Sequence, residues 1–129
     1  MEKTKRLVYV EDDSEMIELV RLILGRRGFE VIGAEGGWEG LDIMRREQPD
    51  LVLLDLMMPE MDGWEVFQQM KADEILRNIP IIVITAKAQT IDRVLGLHIA
   101  KVDDYISKPF SPSELIASVE RVLGRRESA

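Results

Sequence analysis

No cysteine occurs among the 129 residues, which rules out disulfides and thiolate metal sites. No apolar stretch approaches the ~20 residues of a membrane-spanning helix. Basic charge is in deficit: 17 Lys and Arg stand against 24 Asp and Glu, a formal charge of −7. That argues against nucleic acid as a direct ligand, because phosphate binding needs a basic face. It leaves open a DNA-binding domain attached to this one. Histidine occurs once, as His98, for which a helical surface or rim position is expected and no phosphodonor role. Repeats, low-complexity tracts and internal linkers are missing too. The N-terminal Met1-Glu2-Lys3-Thr4-Lys5-Arg6 leads into only a four-residue apolar run, so no secretory signal is expected and the cytoplasm is the expected location.

What is present reads as one globular domain over residues 1–129, with a core of about 6–124 and frayed termini. Hydrophobic residues make up 46% and charged residues 32%, the balance of a chain that can bury a real core. Five short apolar runs alternate with five helical patterns. Leu7–Val10 is the first strand. Met16, Val20, Ile23 and Leu24, with Ile17 beside them, give the first helix one apolar face. Arg26-Arg27-Gly28 closes it. Phe29–Ala34 alternates more and is expected nearer an edge. A weaker helix over Gly37–Glu47 is closed by Pro49. Leu51–Leu54 is apolar throughout, as befits a strand covered on both faces.

Met57–Gly63 is a loop with Asp62-Gly63 as its turn signal. A helix over Trp64–Ala72 follows, then a strand over Ile81–Ile84, a helix over Thr90–Ala100 and a strand over Asp104–Ser107. Ser111 caps the last helix, Pro112 is its first residue, and Glu114 completes a capping box. Leu115, Ile116, Val119, Val122 and Leu123 form its core face. Gly124 follows it, and the polar tail is expected to fray. Trp38 and Trp64 are expected to be packing residues at helix starts. Strict βα alternation predicts a doubly wound parallel sheet with helices on both faces.

Four of the apolar runs end in reactive side chains: Glu11-Asp12-Asp13, Asp55, Thr85 and Lys108. In an open α/β sheet these emerge at one edge, where such folds bind ligands. Glu11, Asp12 and Asp55 together must be protonated, paired or filled by a cation, because two charges ~4 Å apart repel by roughly 1 kcal/mol even in water. Oxygen ligands in an open site favour Mg²⁺, and the backbone carbonyl of Met57 could add to them. Lys108 offers a mobile positive charge and Thr85 a hydroxyl donor. Asp55 could then act as the nucleophile in a phosphoryl transfer. Each residue alone has a bland reading as a cap, a turn residue or a solvated lysine. Their order, with four strand ends occupied at once, is what points to a site.

These residues closely resemble the receiver domain of two-component response regulators. The elements are Val10-Glu11-Asp12-Asp13, Leu53-Leu54-Asp55-Leu56-Met57-Met58-Pro59, Met61-Asp62-Gly63, Ile84-Thr85-Ala86, Asp103-Asp104-Tyr105 and Lys108-Pro109-Phe110. Together they span nearly the whole chain. The resemblance implies a flavodoxin-like (βα)5 fold with strand order 2-1-3-4-5. It implies that Asp55 accepts a phosphoryl group from the phosphohistidine of a sensor histidine kinase or histidine phosphotransfer protein. Glu11, Asp12, Asp55 and the Met57 carbonyl would hold Mg²⁺ or Mn²⁺. Thr85, Ala86 and Lys108 would bind the phosphoryl group, and Tyr105 would be the aromatic switch that turns inward. The Lys108–Pro109 bond is expected to be cis, and Gly63 to shape the phosphorylation loop.

Such a protein is a signalling phosphoacceptor, catalysing only its own phosphorylation and slow dephosphorylation. Its output would be the surface of the 90–100 helix, the fifth strand and the last helix, offered to an output domain, a partner protein or a second copy. Two departures from the family are visible. Lys101 stands where glycine is common before Asp103-Asp104, which bears on the path into the fifth strand. Ser118 stands where the DNA-binding branch commonly has an arginine used in dimer salt bridges. Met57 and Lys87 occupy positions that tune water access, and a bulky Met57 predicts slow hydrolysis.

Three rival readings fare worse. A haloacid dehalogenase-type phosphatase needs an acid two residues after its aspartate, where Met57 stands. An FMN binder needs a phosphate-cradling loop after the first strand, where Glu11-Asp12-Asp13 would repel phosphate. A phosphorylation-independent scaffold usually loses an acid or the lysine, and here all are kept.

Overall fold

Five parallel strands form one sheet in the order β2-β1-β3-β4-β5: β1 (Arg6–Val10), β2 (Glu30–Ala34), β3 (Leu51–Leu54), β4 (Ile81–Thr85) and β5 (Asp104–Ser107). The computed structural model describes residues 3–58, 61–86 and 102–128. The helix expected over residues 90–100, with His98, and the positions of Lys87 and Lys101 lie outside them. The described helices are α1 (Ser14–Gly25), α2 (Gly37–Glu47), α3 (Gly63–Ala72) and α4 (Pro112–Ser128). None of these is long and apolar enough to cross a membrane.

The two-residue period of the strands divides the core. Val8, Val10, Val52, Leu54, Ile81 and Val83 face α2 and α3, packing with Leu41, Met44, Val66 and Met70. Leu7, Tyr9, Leu51, Leu53, Ile82 and Ile84 face α1 and α4, packing with Val20, Leu24, Leu115 and Val119. A strand buried on both sides can be aliphatic at every position, as β3 and β4 are. Beneath α2 the sheet is approached closely: a β-carbon on Gly40 would stand 2.8 Å from Val10 Cγ2.

The helix ends follow local chemistry. Asp13 caps α1, its side chain accepting from the backbone N–H of Glu15 and Met16. The capping box of α4 forms in both directions: Glu114 N donates to Ser111 Oγ at 3.1 Å, and Ser111 N to Glu114 Oε1 at 3.2 Å. Gln48 closes α2 in the left-handed region at φ 46°, directly before Pro49, which disfavours a further helical residue.

Two expectations need correction. Gly124 does not end α4, because the helix runs on to Ser128. Glycine can take helical dihedrals, and the arginines after it are good helix formers. Trp38 is not a packing residue, being 59% exposed. It shares a face of α2 with the exposed Asp42 and Arg45, while Gly37, Leu41 and Met44 turn inward. Trp64 does pack, edge-on against Phe67 with ring centroids 5.6 Å apart.

Candidate acidic site at the sheet edge

The strand register brings the predicted residues to one edge. Val10 pairs with Leu54, so Glu11 and Asp55 leave neighbouring strands side by side. Asp55 N donates to Val10 O at 3.0 Å, extending the ladder one residue. Thr85 pairs with Ser107, and Lys108 N donates to Thr85 O at 3.1 Å, which brings Lys108 to the same edge. Strand order reverses at β1, between β2 and β3, so the acids lie at the switch point where doubly wound sheets open a crevice.

Glu11 and Asp55 are nearly buried, 1% and 3% exposed, and Asp12 stands at the surface beside them. One carboxylate oxygen from each lies within 4.8 Å of the others. Lys108 Nζ bonds Glu11 Oε1 directly and reaches Asp55 Oδ2 at 3.4 Å. Asp55 Oδ1 accepts from Met57 N at 3.1 Å. One ammonium thus faces three carboxylates, and each unbalanced pair repels by about 4 kcal/mol at ~4 Å and an effective dielectric near 20. An all-oxygen set with excess negative charge suits a hard divalent cation.

The protonation equilibria record the same imbalance. Desolvation, then contact with Glu11, hold the Asp12 carboxyl above its ordinary pKa, against the lowering pull of its own backbone and Lys108. Burial acts to lower the Lys108 pKa, but the Glu11 hydrogen bond and the charges of Asp55 and Glu11 outweigh it, so the ammonium is held above its ordinary value. Burial, then the charge of Glu11, push the Tyr9 hydroxyl far above the phenol range, so it remains a donor.

Thr85 is wholly buried, and its Oγ1 has no hydrogen-bond partner among the described residues. Ala86, the next residue, is exposed. Tyr105 is half-buried against the α2 and α3 side of the core. The Lys108–Pro109 bond is cis, as expected. Met57 is 51% exposed beside Asp55. Gly63 packs on the Asp55–Leu56 backbone, where a β-carbon would come 2.4 Å from Asp55 O. Close approach, not a left-handed turn, is what requires glycine there.

Sequence reasoning missed several partners. Tyr9 OH donates to Glu11 Oε1 at 3.1 Å. The available signal was an aromatic in an aliphatic strand, two residues before an acid and so on its side of the sheet. Asp103 and Asp104 stood out only as part of a motif. Asp103 Oδ2 accepts from Ile81 N at 2.8 Å, pinning the start of β4. Asp104 Oδ2 accepts from Ser118 Oγ at 2.6 Å and pairs with Arg121, docking α4 on β5.

An open, doubly wound, flavodoxin-like sheet with an acidic cluster at its switch point defines the class. The response regulator receiver domain profile matches residues 7–120, and the chain belongs to that family. It is 41% identical over 125 residues to the alkaline phosphatase synthesis transcriptional regulatory protein PhoP of Bacillus subtilis (strain 168), covering 97% of this chain and 51% of that protein. It is 42% identical over 123 residues to the DNA-binding response regulator MtrA of Mycobacterium tuberculosis (strain ATCC 25618 / H37Rv), covering 95% and 52%. The chain spans about half the length of the curated relatives it matches.

Among solved structures, it resembles the receiver domain of sensor histidine kinase PA1611 from Pseudomonas aeruginosa PAO1, which has a magnesium ion coordinated in its active site cleft. The TM-score is 0.84 and the identity 30%, over 95% of this chain and 99% of that one. A CheY-like response regulator receiver domain protein from Methanospirillum hungatei JF-1 superposes with TM-score 0.88 at 28% identity, over 98% of each chain.

Proposed function

We propose that the chain, as one receiver domain over residues 1–129 with its core at about 6–124, is the phosphoacceptor of a cytoplasmic two-component system. Asp55 is the acceptor. One of its carboxylate oxygens attacks the phosphorus of a phosphohistidine on a sensor histidine kinase or histidine phosphotransfer protein. The new P–O bond forms as the P–N bond breaks, and the imidazole nitrogen leaves with the electron pair and takes a proton from solvent. Glu11, Asp12, Asp55 and the Met57 carbonyl hold Mg²⁺ or Mn²⁺, which supplies positive charge to neutralise the transferring group. Lys108 leaves its carboxylates for a phosphoryl oxygen, and Thr85, with Ala86 beside it, turns to the same group.

The single observation that carries this reading is the buried Thr85 hydroxyl, without a hydrogen-bond partner among the described residues, at the edge where three acids and one lysine meet. A hydroxyl of that kind is disfavoured unless another state supplies its acceptor. Phosphorylation adds about −1.5 to −2 charge and strong acceptor oxygens at that edge. The Thr85 and Tyr105 rearrangement then alters the surface around β5 and α4, read by an output domain, a partner protein or a second copy of the chain. The relatives' greater length supports an attached output domain.

The test is intact mass after incubation with acetyl phosphate, with and without Mg²⁺, for the wild type and Asp55→Ala. One added phosphoryl group requiring both Mg²⁺ and Asp55 supports the reading. An equal gain by Asp55→Ala, or none by the wild type, overturns it.

A further inference from the structure

Glu11 carries more partners than a metal ligand needs. Its Oε1 accepts from Tyr9 OH at 3.1 Å and also from Lys108 Nζ, and its Oε2 accepts from Asp13 N at 3.2 Å. Tyr9 is wholly buried, in a strand whose other inner residues, Leu7, Val8 and Val10, are aliphatic. Phenylalanine would fill the same space without burying a hydroxyl, so the phenol oxygen is there for its bond to Glu11, which is its one hydrogen bond among the described residues.

The two donors on Oε1 differ in charge. A divalent cation entering the cluster repels the Lys108 ammonium, and Lys108 must leave. Glu11 is too deeply buried for bulk water to replace it. A neutral hydroxyl meets no such repulsion and stays.

We propose that Tyr9 is a positioning residue for divalent-cation binding: its hydroxyl keeps Glu11 Oε1 hydrogen-bonded while Lys108 withdraws. The inference rests on the phosphoacceptor reading and adds to it the residue that lets Lys108 exchange a carboxylate for a phosphoryl oxygen. Tyr9 touches neither the cation nor the reacting atoms, and acts only through Glu11.

The experiment is calorimetric titration of unphosphorylated full chain with Mg²⁺, for the wild type, Tyr9→Phe, Lys108→Ala and the double variant. Tyr9→Phe is expected to weaken Mg²⁺ binding about tenfold while Lys108 is present, equivalent to about 1.4 kcal/mol. In the Lys108→Ala background, where no ammonium has to be displaced, the same substitution is expected to cause no weakening. A role in packing alone would weaken binding in both backgrounds, and that result would overturn the proposal. So would unchanged affinity in Tyr9→Phe.

Lys108→Ala alone keeps the proposal falsifiable should Tyr9→Phe fail to fold: with no ammonium to displace, it is expected to bind Mg²⁺ more tightly than the wild type, and unchanged or weaker binding would overturn the proposal. A wild type that binds no Mg²⁺ at millimolar concentration would overturn the phosphoacceptor reading as well. A wild type that binds while Tyr9→Phe binds equally well would overturn only the role of Tyr9.

Discussion

Gly63 rests against the backbone of Asp55 so closely that a β-carbon on Gly63 would stand 2.4 Å from the Asp55 carbonyl oxygen and 2.6 Å from Leu56 Cα. Gly63 N also donates to Leu56 O at 3.2 Å. The start of α3 is thereby fixed to the end of β3, one peptide from the acidic site. Both obstructing atoms are backbone, so no side-chain rotation relieves the clash. Gly63→Ala is therefore expected to destabilise the fold by about 1–3 kcal/mol, as overpacking does. It should also weaken Mg²⁺ binding, because the relief must move Asp55. Thermal unfolding and Mg²⁺ titration check both effects, and wild-type values in both would mean that the contact relaxes freely.

Thr85 supports a prediction of opposite sign. Its buried Oγ1 is partnerless among the described residues, so replacing the hydroxyl by a methyl removes a desolvated polar atom and leaves the shape. Thr85→Val should leave the unphosphorylated protein at least as stable as the wild type, with a gain of up to about 1 kcal/mol in urea unfolding. After acetyl phosphate treatment the order should reverse, because only the wild type gives the phosphoryl group a hydroxyl donor. A large loss of stability before phosphorylation would mean that Oγ1 is bonded in solution.

The contrast between Asp55 and Tyr9 shows what was legible in the sequence. Asp55 and Thr85 follow apolar runs directly and Lys108 follows the strand Asp104–Ser107; parallel strands bring such residues to one edge, so the parallel sheet and the gathering of these residues could be read from their order, while the strand order came from the resemblance. Tyr9 lies inside a run, where an aromatic reads as core, and its bond to Glu11 depends on side-chain reach. Asp103 and Asp104 drew notice as a motif, yet their partners, Ile81 N and Ser118, are known only once β5 and α4 pack. Gly124 misled because glycine marks a helix end only where the chain turns, and here α4 simply continues.

Asp12 predicts the pH dependence of cation binding. Its carboxyl holds its proton above the ordinary value of 3.8, from desolvation and then the neighbouring Glu11. A proton held more tightly in the folded than in the unfolded chain means that ionising Asp12 opposes folding, so this contribution to metal-free stability is lost as pH rises through the raised pKa. A cation must displace that proton. Mg²⁺ affinity should therefore fall as pH drops, beginning above the range of an ordinary aspartate, and Asp12→Asn should flatten that dependence. Titrations with Mg²⁺ from pH 7, about three units above an unperturbed aspartate, down to about pH 4, within the ordinary carboxyl range, check this. An affinity constant over that interval would show that Asp12 does not exchange its proton for the cation.

Asp104 gathers two donors of unequal worth. Ser118 is 2% exposed and donates to Asp104 Oδ2 at 2.6 Å, whereas Arg121 pairs with the same oxygen from a side chain 53% exposed. A hydrogen bond to a charged acceptor is worth about 1.5–3 kcal/mol, while exposed ion pairs contribute about 0–1 kcal/mol. Ser118→Ala should therefore destabilise the protein by about 1.5 kcal/mol, and Arg121→Ala by less than half of that. Because the two act on one oxygen, their effects should not add, and the double variant should lose more than the two single losses combined, leaving Asp104 half-buried without either donor. Urea unfolding of the three variants decides it. A larger loss from Arg121→Ala than from Ser118→Ala would place the docking of α4 on β5 in the surface ion pair instead of the buried hydroxyl.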